Sequence, residues 1–339
     1  MVKYKDAELT TLCYIENEDS YLMLHRVKKE HDINKDKWIG LGGHFEKDES
    51  PDDCLKREVL EESGLSLSSY RMRGIVTFIS GDGCTEYMHL YTAKVSTKIF
   101  SDCDEGYLEW IKKDKVYDLN LWEGDKIFFK LLADNEPFFS LKLEYDGHGK
   151  LLNAVLNGKD MELLDILNED GSPSGQVSER NVAHMLGYLH QTVHMWIVKD
   201  NKILVQKRSK TKDSNPGCYD ISSAGHISAG QTVLDAAIRE LSEELGLLVD
   251  EKDLRHIGFT KRCILKPFYG KFWPDNQISQ VFVIEKDVDI NSLKLQKSEV
   301  EEVSWMDLDE LIKTVEEDDS FPNCFNPEEL KMVRQSLHS

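Results

Sequence analysis

The chain has 339 residues, 40% of them hydrophobic, with a formal net charge of −20. That length suits two domains better than one, and the apolar content is ample for two cores, which excludes a disordered chain. So acidic a balance argues against a protein that grips nucleic-acid polymers by neutralising their phosphates.

The N-terminal stretch MVKYKDAELTTLCYI lacks the apolar region of a signal peptide, and no run of 18 apolar residues follows it anywhere. A cytoplasmic protein without a membrane partner is expected. Residues 9–15 and 21–25 read as strands around the polar turn 16–20, and the glycine-rich 40–43 follows. Pro51 is placed to open a helix over 52–63, with Gly64 as its C-cap. Strands are expected at 74–80, 87–95 and 108–112, then a helix at 124–132. The least structured stretch is 157–159, so the expected domains are 1–157 and 161–339. The second opens with a strand, a Gly/Ser/Pro turn and a histidine-bearing segment, and helices cap it from 307 onward. Seven cysteines, scattered and without a C-x-x-C pair, make structural zinc and a disulfide framework poor expectations.

One stretch carries the chemistry. From Gly43 through Glu49 to Arg57, Glu58, Val59, Glu61, Glu62, Gly64 and Leu65 it reads G-x5-E-x7-R-E-U-x-E-E-x-G-U, with U aliphatic. Nine fixed positions match by chance on the order of once per billion start points. Residues three and four apart share a helix face, so Glu58, Glu61 and Glu62 converge, and like charges there cost roughly 0.2–0.5 kcal/mol per pair. A cation among them removes that cost, and an all-oxygen ligand set suits Mg2+ or Mn2+. The pattern returns at an offset of 182: Gly225, Arg239, Glu240, Leu241, Glu243, Glu244, Gly246 and Leu247 repeat the first copy. Upstream, Arg208 matches Arg26, and His226 matches His44. Gln231 stands where Glu49 stands, and it can hydrogen-bond Arg239 but brings no charge.

Both segments resemble the Nudix box of hydrolases that cleave nucleoside diphosphates linked to another moiety. The resemblance implies two tandem α/β (α+β) folds, each an α/β/α sandwich around a mixed β-sheet, in which the box forms loop, helix and loop. It also implies Mg2+ or Mn2+ as cofactor, held by Gly42, Glu58, Glu61 and Glu62 in the first unit and by Glu240, Glu243 and Glu244 in the second. A glutamate of the box, or Glu86 from the loop after it, would act as base. Glu58, Glu61, Glu240 and Glu243 stand with it as catalytic candidates, and Arg57 would pair with Glu49 and orient the carboxylates. Arg26 and Arg208 would hold phosphate.

Around "LWEGDKIFFKLL" the first unit resembles the MutT-type 8-oxo-dGTP diphosphatases, in which a Trp and an acid at this place read the base. Trp122 and Asp125 are the matching residues, while Gly124 occupies the place of a second acid. The second unit is similar to Nudix relatives of isopentenyl-diphosphate isomerase. His184, His190 and His226 match the isomerase metal site, but its two glutamates fall near Asp275 and Gln277, and Ala224 replaces its cysteine. A methyl group cannot act as an acid, which weighs against isomerisation. The reading reached is a nucleotide pyrophosphohydrolase with a second hydrolase site beside it; the alternative makes the second unit a regulatory sensor.

Overall fold

In the computed structural model, which describes residues 7–28, 32–212, 214–268 and 271–337, the chain divides into two units, 1–162 and 163–339. The first contains β1 (Glu8–Asn17), β2 (Ser20–Arg26), β3 (Trp38–Ile39), α1 (Pro51–Ser63), β4 (Leu67–Ile79), β5 (Thr85–Val95), β6 (Gly106–Lys112), α2 (Glu123–Ala133), β7 (Phe139–Tyr145), β8 (Leu151–Leu156) and β9 (Lys159–Asp160). Its sheet runs β3-β2-β1-β5-β4-β7-β8-β9, with β6 on β2. The sheet is mixed: β1 lies parallel to β5 and β4 parallel to β7, whereas β2, β4 and β8 pair antiparallel with β1, β5 and β7.

Each face of that sheet is covered by a helix whose ends the sequence marks. Ser50 caps α1, accepting from Asp53 N–H at 3.2 Å while the Asp53 carboxylate accepts from Ser50 N–H at 3.1 Å. Gly64 closes the helix at φ 69°, the left-handed region that disfavours a side chain. Leu55 and Val59 of α1 join Cys13, Ile15, Leu22 and Tyr91 in one core. On the opposite face, Phe128 and Phe129 of α2 pack against Tyr14 and Tyr21, ring centroids 4.6–5.7 Å apart. Successive side chains on a strand alternate faces, so Tyr14 points to α2 while Cys13 and Ile15 point to α1.

The second unit contains β10 (Leu163–Leu167), β11 (Pro173–Glu179), α3 (Arg180–Leu186), β12 (His190–Lys199), β13 (Lys202–Arg208), β14 (Tyr219–Asp220), β15 (Ser223–His226), α4 (Val233–Leu245), β16 (Arg255–Phe268), β17 (Lys271–Glu285), β18 (Val300–Asp307), α5 (Leu308–Glu317) and α6 (Pro327–Ser336). Here β12 plays the part of β1, running parallel to β17. Val193, Met195 and Ile197 pack on Ala236, Ala237 and Leu241 of α4. Trp196 and Val198 face Leu311 of α5 and Leu330 of α6. Helix α4 repeats α1 at the same offset of 182, with Thr232 as N-cap and Gly246 at φ 65°.

Two expectations change. Residues 157–159 are not a linker: β9 pairs with Val155 and Leu156, and Met161 N–H donates to Ala154 at 2.8 Å, so the first unit runs to residue 162. Strand β4 begins at Leu67 rather than 74, because β5 offers it backbone partners from Val95 onward, past bulges that no apolar run announces.

Candidate active site

The box loop of the first unit is built where two glycines meet strand β1 and helix α1. Gly42 has φ 150°, and a Cβ there would overlap the Thr11 carbonyl. Thr11 N–H donates to Gly43 at 2.9 Å and Phe45 N–H to Leu9 at 3.0 Å, stitching the loop to β1. A Cβ on Gly43 would collide with the Glu58 carboxylate, so only glycine lets that carboxylate approach the backbone.

Arg57 organises the acids around this loop. Its Nε and Nη2 donate to the two Glu49 oxygens at 2.6 and 2.9 Å, a bidentate grip that holds Glu49 down at about 2. Nη1 reaches Glu58 at 2.7 Å and Glu61 at 3.2 Å, and Nη2 also donates to the His44 carbonyl at 2.9 Å. Glu62 comes from the other side and accepts Gly42 N–H at 2.9 Å. The box therefore gathers Glu58, Glu61 and Glu62 about Gly42 and Gly43. Glu61 is the open member, 60% exposed, whereas Glu58 is 15% exposed. Glu62 is buried, which pushes its carboxyl up to about 8, with Glu105 and Glu58 adding to the rise. A buried oxygen donor beside a second carboxylate is the environment a hard divalent cation fits, since its charge removes the burial cost.

The second box repeats this plan with one bond fewer. Arg239 Nη1 donates to Glu240 at 2.7 Å and Glu243 at 3.1 Å, and Nη2 to the His226 carbonyl at 2.9 Å. Gln231 supplies a single oxygen at 3.3 Å in place of the bidentate Glu49. Ala224 N–H donates to Glu244 at 3.3 Å, as Gly42 does to Glu62, and Glu240 would collide with any Cβ at Gly225. Burial pushes Glu240 and Glu244 each to about 7.

Beside it, His184, His190 and His226 bring ring nitrogens within 4.8 Å of one another. His184 Nε2 and His226 Nε2 lie 3.2 Å apart, and Asp275 approaches His184 Nδ1 at 3.6 Å. Three imidazoles form a donor set suited to a transition metal, with Asp275 on the other ring nitrogen of His184, where it can orient that ring. Gln277 sits opposite His190 in the strand register and supplies no charge.

The remaining candidates are placed less simply. Arg26 is committed to Asp32 at 2.7 Å and to Glu105, and Arg208 to Asp220 at 2.9 Å and to Ser214. Each would have to exchange a partner to hold phosphate. Glu86 is not in a loop but in β5, because that strand pairs with β1 as far as Glu8; it receives the Thr10 hydroxyl at 2.6 Å and is raised by burial. Trp122 is half-buried and precedes α2 as its N-cap residue. Its ring packs edge-on against Phe78 and Tyr145, centroids 5.8 and 5.2 Å away, so it is not the freely exposed platform the motif implies. Asp125 is 7% exposed, and burial pushes it up to about 8 against the pull of Lys37. Gly124 has no room for a second acid, because a Cβ there would meet Leu143 and the Tyr145 hydroxyl. Asn34 and Lys37 were not singled out by any motif, yet Asn34 accepts Trp122 Nε1–H at 2.8 Å and the Lys37 ammonium sits 5.0 Å from the Trp122 ring centroid.

The NUDIX domain model matches the chain twice, over residues 7–132 and 188–323. The chain belongs to the Nudix family. Nudix hydrolases act on phosphoric anhydride bonds and generally use divalent metal ions. Nudix hydrolase 3 of Arabidopsis thaliana is 38% identical over 154 residues, 44% of this chain but only 20% of that protein. An uncharacterized Nudix hydrolase of Clostridium acetobutylicum is 35% identical over 156 residues, covering 45% of this chain and 73% of its own length. Among solved structures, a mutator MutT protein of Bacillus halodurans matches 45% of this chain and 99% of its own, at 26% identity and a TM-score of 0.40. Both Nudix matches contain a complete loop, helix and carboxylate cluster of the kind just described.

Proposed function

We propose that the first unit is a Mg2+- or Mn2+-dependent pyrophosphohydrolase of nucleoside triphosphates, acting on oxidised purine deoxynucleotides such as 8-oxo-dGTP and releasing the monophosphate and pyrophosphate. The observation that carries the substrate reading is the pairing of Trp122 with the buried Asp125 at the start of α2, on the same unit as an intact box. Glu58, Glu61, Glu62 and Gly42 would hold the metal. Bound there, it supplies charge neutralisation and a more acidic water.

The protein's own groups do the rest. Arg57 fixes Glu58 and Glu61 in one orientation, so that no side-chain ordering remains for the reacting complex. One of the box glutamates, of which Glu61 is the most exposed, or Glu86, raised by burial, would take a proton from water. An aromatic ring and a neutral carboxyl offer the base a stacking surface, one hydrogen-bond donor and acceptor capacity.

For the second unit we propose hydrolysis of another diphosphate compound, supported by the retained Glu240, Glu243 and Glu244 on Arg239 and Ala224. Pyrophosphate and phosphate release would be screened across oxidised and normal dNTPs, dinucleotides and nucleotide sugars, on the full chain with one box silenced at a time by Glu58→Gln or Glu240→Gln. The reading of the first unit holds if 8-oxo-dGTP turnover dies with Glu58→Gln and survives Glu240→Gln. It fails if 8-oxo-dGTP is no better a substrate than dGTP.

A further inference from the structure

Residues 32–37 form a loop before the box that no motif covers, and it closes over the base-reading end of the first unit. Asp36 N–H and Arg26 N–H bond the Arg26 and Lys37 carbonyls at 2.7 and 2.9 Å, tying the loop to the end of β2. Asn120 reaches it from the other side, donating Nδ2–H to the Asp36 carbonyl at 2.9 Å. Within this frame the Lys37 ammonium donates to Asn120 Oδ1 at 3.0 Å and to the Leu121 carbonyl at 2.8 Å. It also stands over the Trp122 ring, whose own N–H is held by Asn34.

We propose that Lys37 is a specificity-determining residue of the first unit, its ammonium donating to an oxo group at C6 of the purine and so favouring oxo-purines over amino-purines. The proposal rests on the reading of this unit as a purine nucleotide hydrolase. A lysine ammonium has three donors and no acceptor. Two are directed at Asn120 and Leu121, which leaves one for a base stacked beside the ammonium on Trp122, whose ring centroid lies 5.0 Å away. An oxo group presents lone pairs to that donor. An exocyclic amino group presents a hydrogen instead, leaving two donors opposed in a half-buried place. Trp122 by itself cannot discriminate this way, since every base has a π-face to stack.

The test compares kcat/KM for 8-oxo-dGTP and 8-oxo-dATP, which share the 8-oxo group and differ in the C6 substituent, the N1 proton and the 2-amino group, in the full chain carrying Lys37→Met or Lys37→Arg, so that only the change of their ratio on substituting Lys37 is read. Lys37→Met should lower the 8-oxo-dGTP to 8-oxo-dATP ratio by about 10–100-fold, the range for losing one charge-assisted hydrogen bond. Lys37→Arg, which keeps donors and charge, should retain most of the ratio. A clamp that merely steadies Trp122 would depress both substrates together and lower Tm, leaving the ratio unmoved, and that result overturns the proposal. If the unaltered protein hydrolyses neither nucleotide, the purine reading itself falls; if it hydrolyses both and the ratio ignores Lys37, only the role of Lys37 falls.

Discussion

Asp125→Asn isolates one buried carboxyl and predicts its effect on stability in sign and size. Burial holds Asp125 near 8 in the folded protein, against an ordinary value of 3.8. Between those two pH values the folded protein keeps a proton that the unfolded chain has released. Stability from this group is therefore complete below about pH 4 and drains away as pH rises through about 8. Roughly four pKa units at about 1.4 kcal/mol each give on the order of 5 kcal/mol. Asparagine has the same shape and stays neutral, so it removes the dependence. For a unit of this size about 1 kcal/mol moves Tm by 2–4 °C. In thermal unfolding of the full chain between pH 5 and pH 9, the first-unit transition of Asp125→Asn should gain roughly 10–20 °C on the unaltered protein by the alkaline end. The gap should narrow steadily toward acid, to roughly a quarter of its alkaline size at pH 5, and close only near pH 4. Parallel curves would refute the reasoning, because they would show that Asp125 ionises in the ordinary carboxylate range and is not the neutral group proposed to face a base.

Glu61→Gln keeps size and removes a charge, so kcat for the first unit should fall at least about 100-fold, and chelation with EDTA should abolish turnover; steady-state kinetics on 8-oxo-dGTP measures both. Trp122→Ala should raise KM for 8-oxo-dGTP by the equivalent of about 1–3 kcal/mol of lost stacking. It should also lower Tm, since Phe78 and Tyr145 lose their edge contacts; a drop in Tm with KM unchanged returns Trp122 to the core. Glu243→Gln should abolish the diphosphate hydrolysis assigned to the second unit while first-unit turnover stays as it was. Should the second unit hydrolyse nothing, and its ligands instead change the affinity of the first for substrate in isothermal titration, a sensor role replaces the catalytic one.

Much of the chemistry was legible from the chain alone because it is local. The spacing of Glu58, Glu61 and Glu62 on one helix, the glycine that admits Glu58, and the arginine eight residues after Glu49 need no distant partner to be read; their repetition at a constant offset of 182 made two sites out of one. Helix ends were equally plain, since Ser50, Pro51 and Gly64 act within one turn of the residues they cap. Strands β7 and β8 are not among the expected elements, although in β7 the buried Phe139, Leu141, Leu143 and Tyr145 alternate with exposed or half-buried neighbours, a period-two signal present in the sequence.

What tertiary structure alone decided is long-range. No pattern tells that Arg26 is taken by Glu105, 79 residues away, or that Trp122 gives its N–H to Asn34, 88 residues away. Nor does any show why Gly124 excludes a second acid, a matter of where Leu143 and Tyr145 arrive from the next strand. The three histidines are grouped by resemblance in the sequence, but their distances are not: His184 on α3 meets His226 at the end of β15 only after the strands have paired. Local spacing determines which groups can act together on one element. Packing determines which of them are buried, which are already bonded, and which remain to meet a substrate.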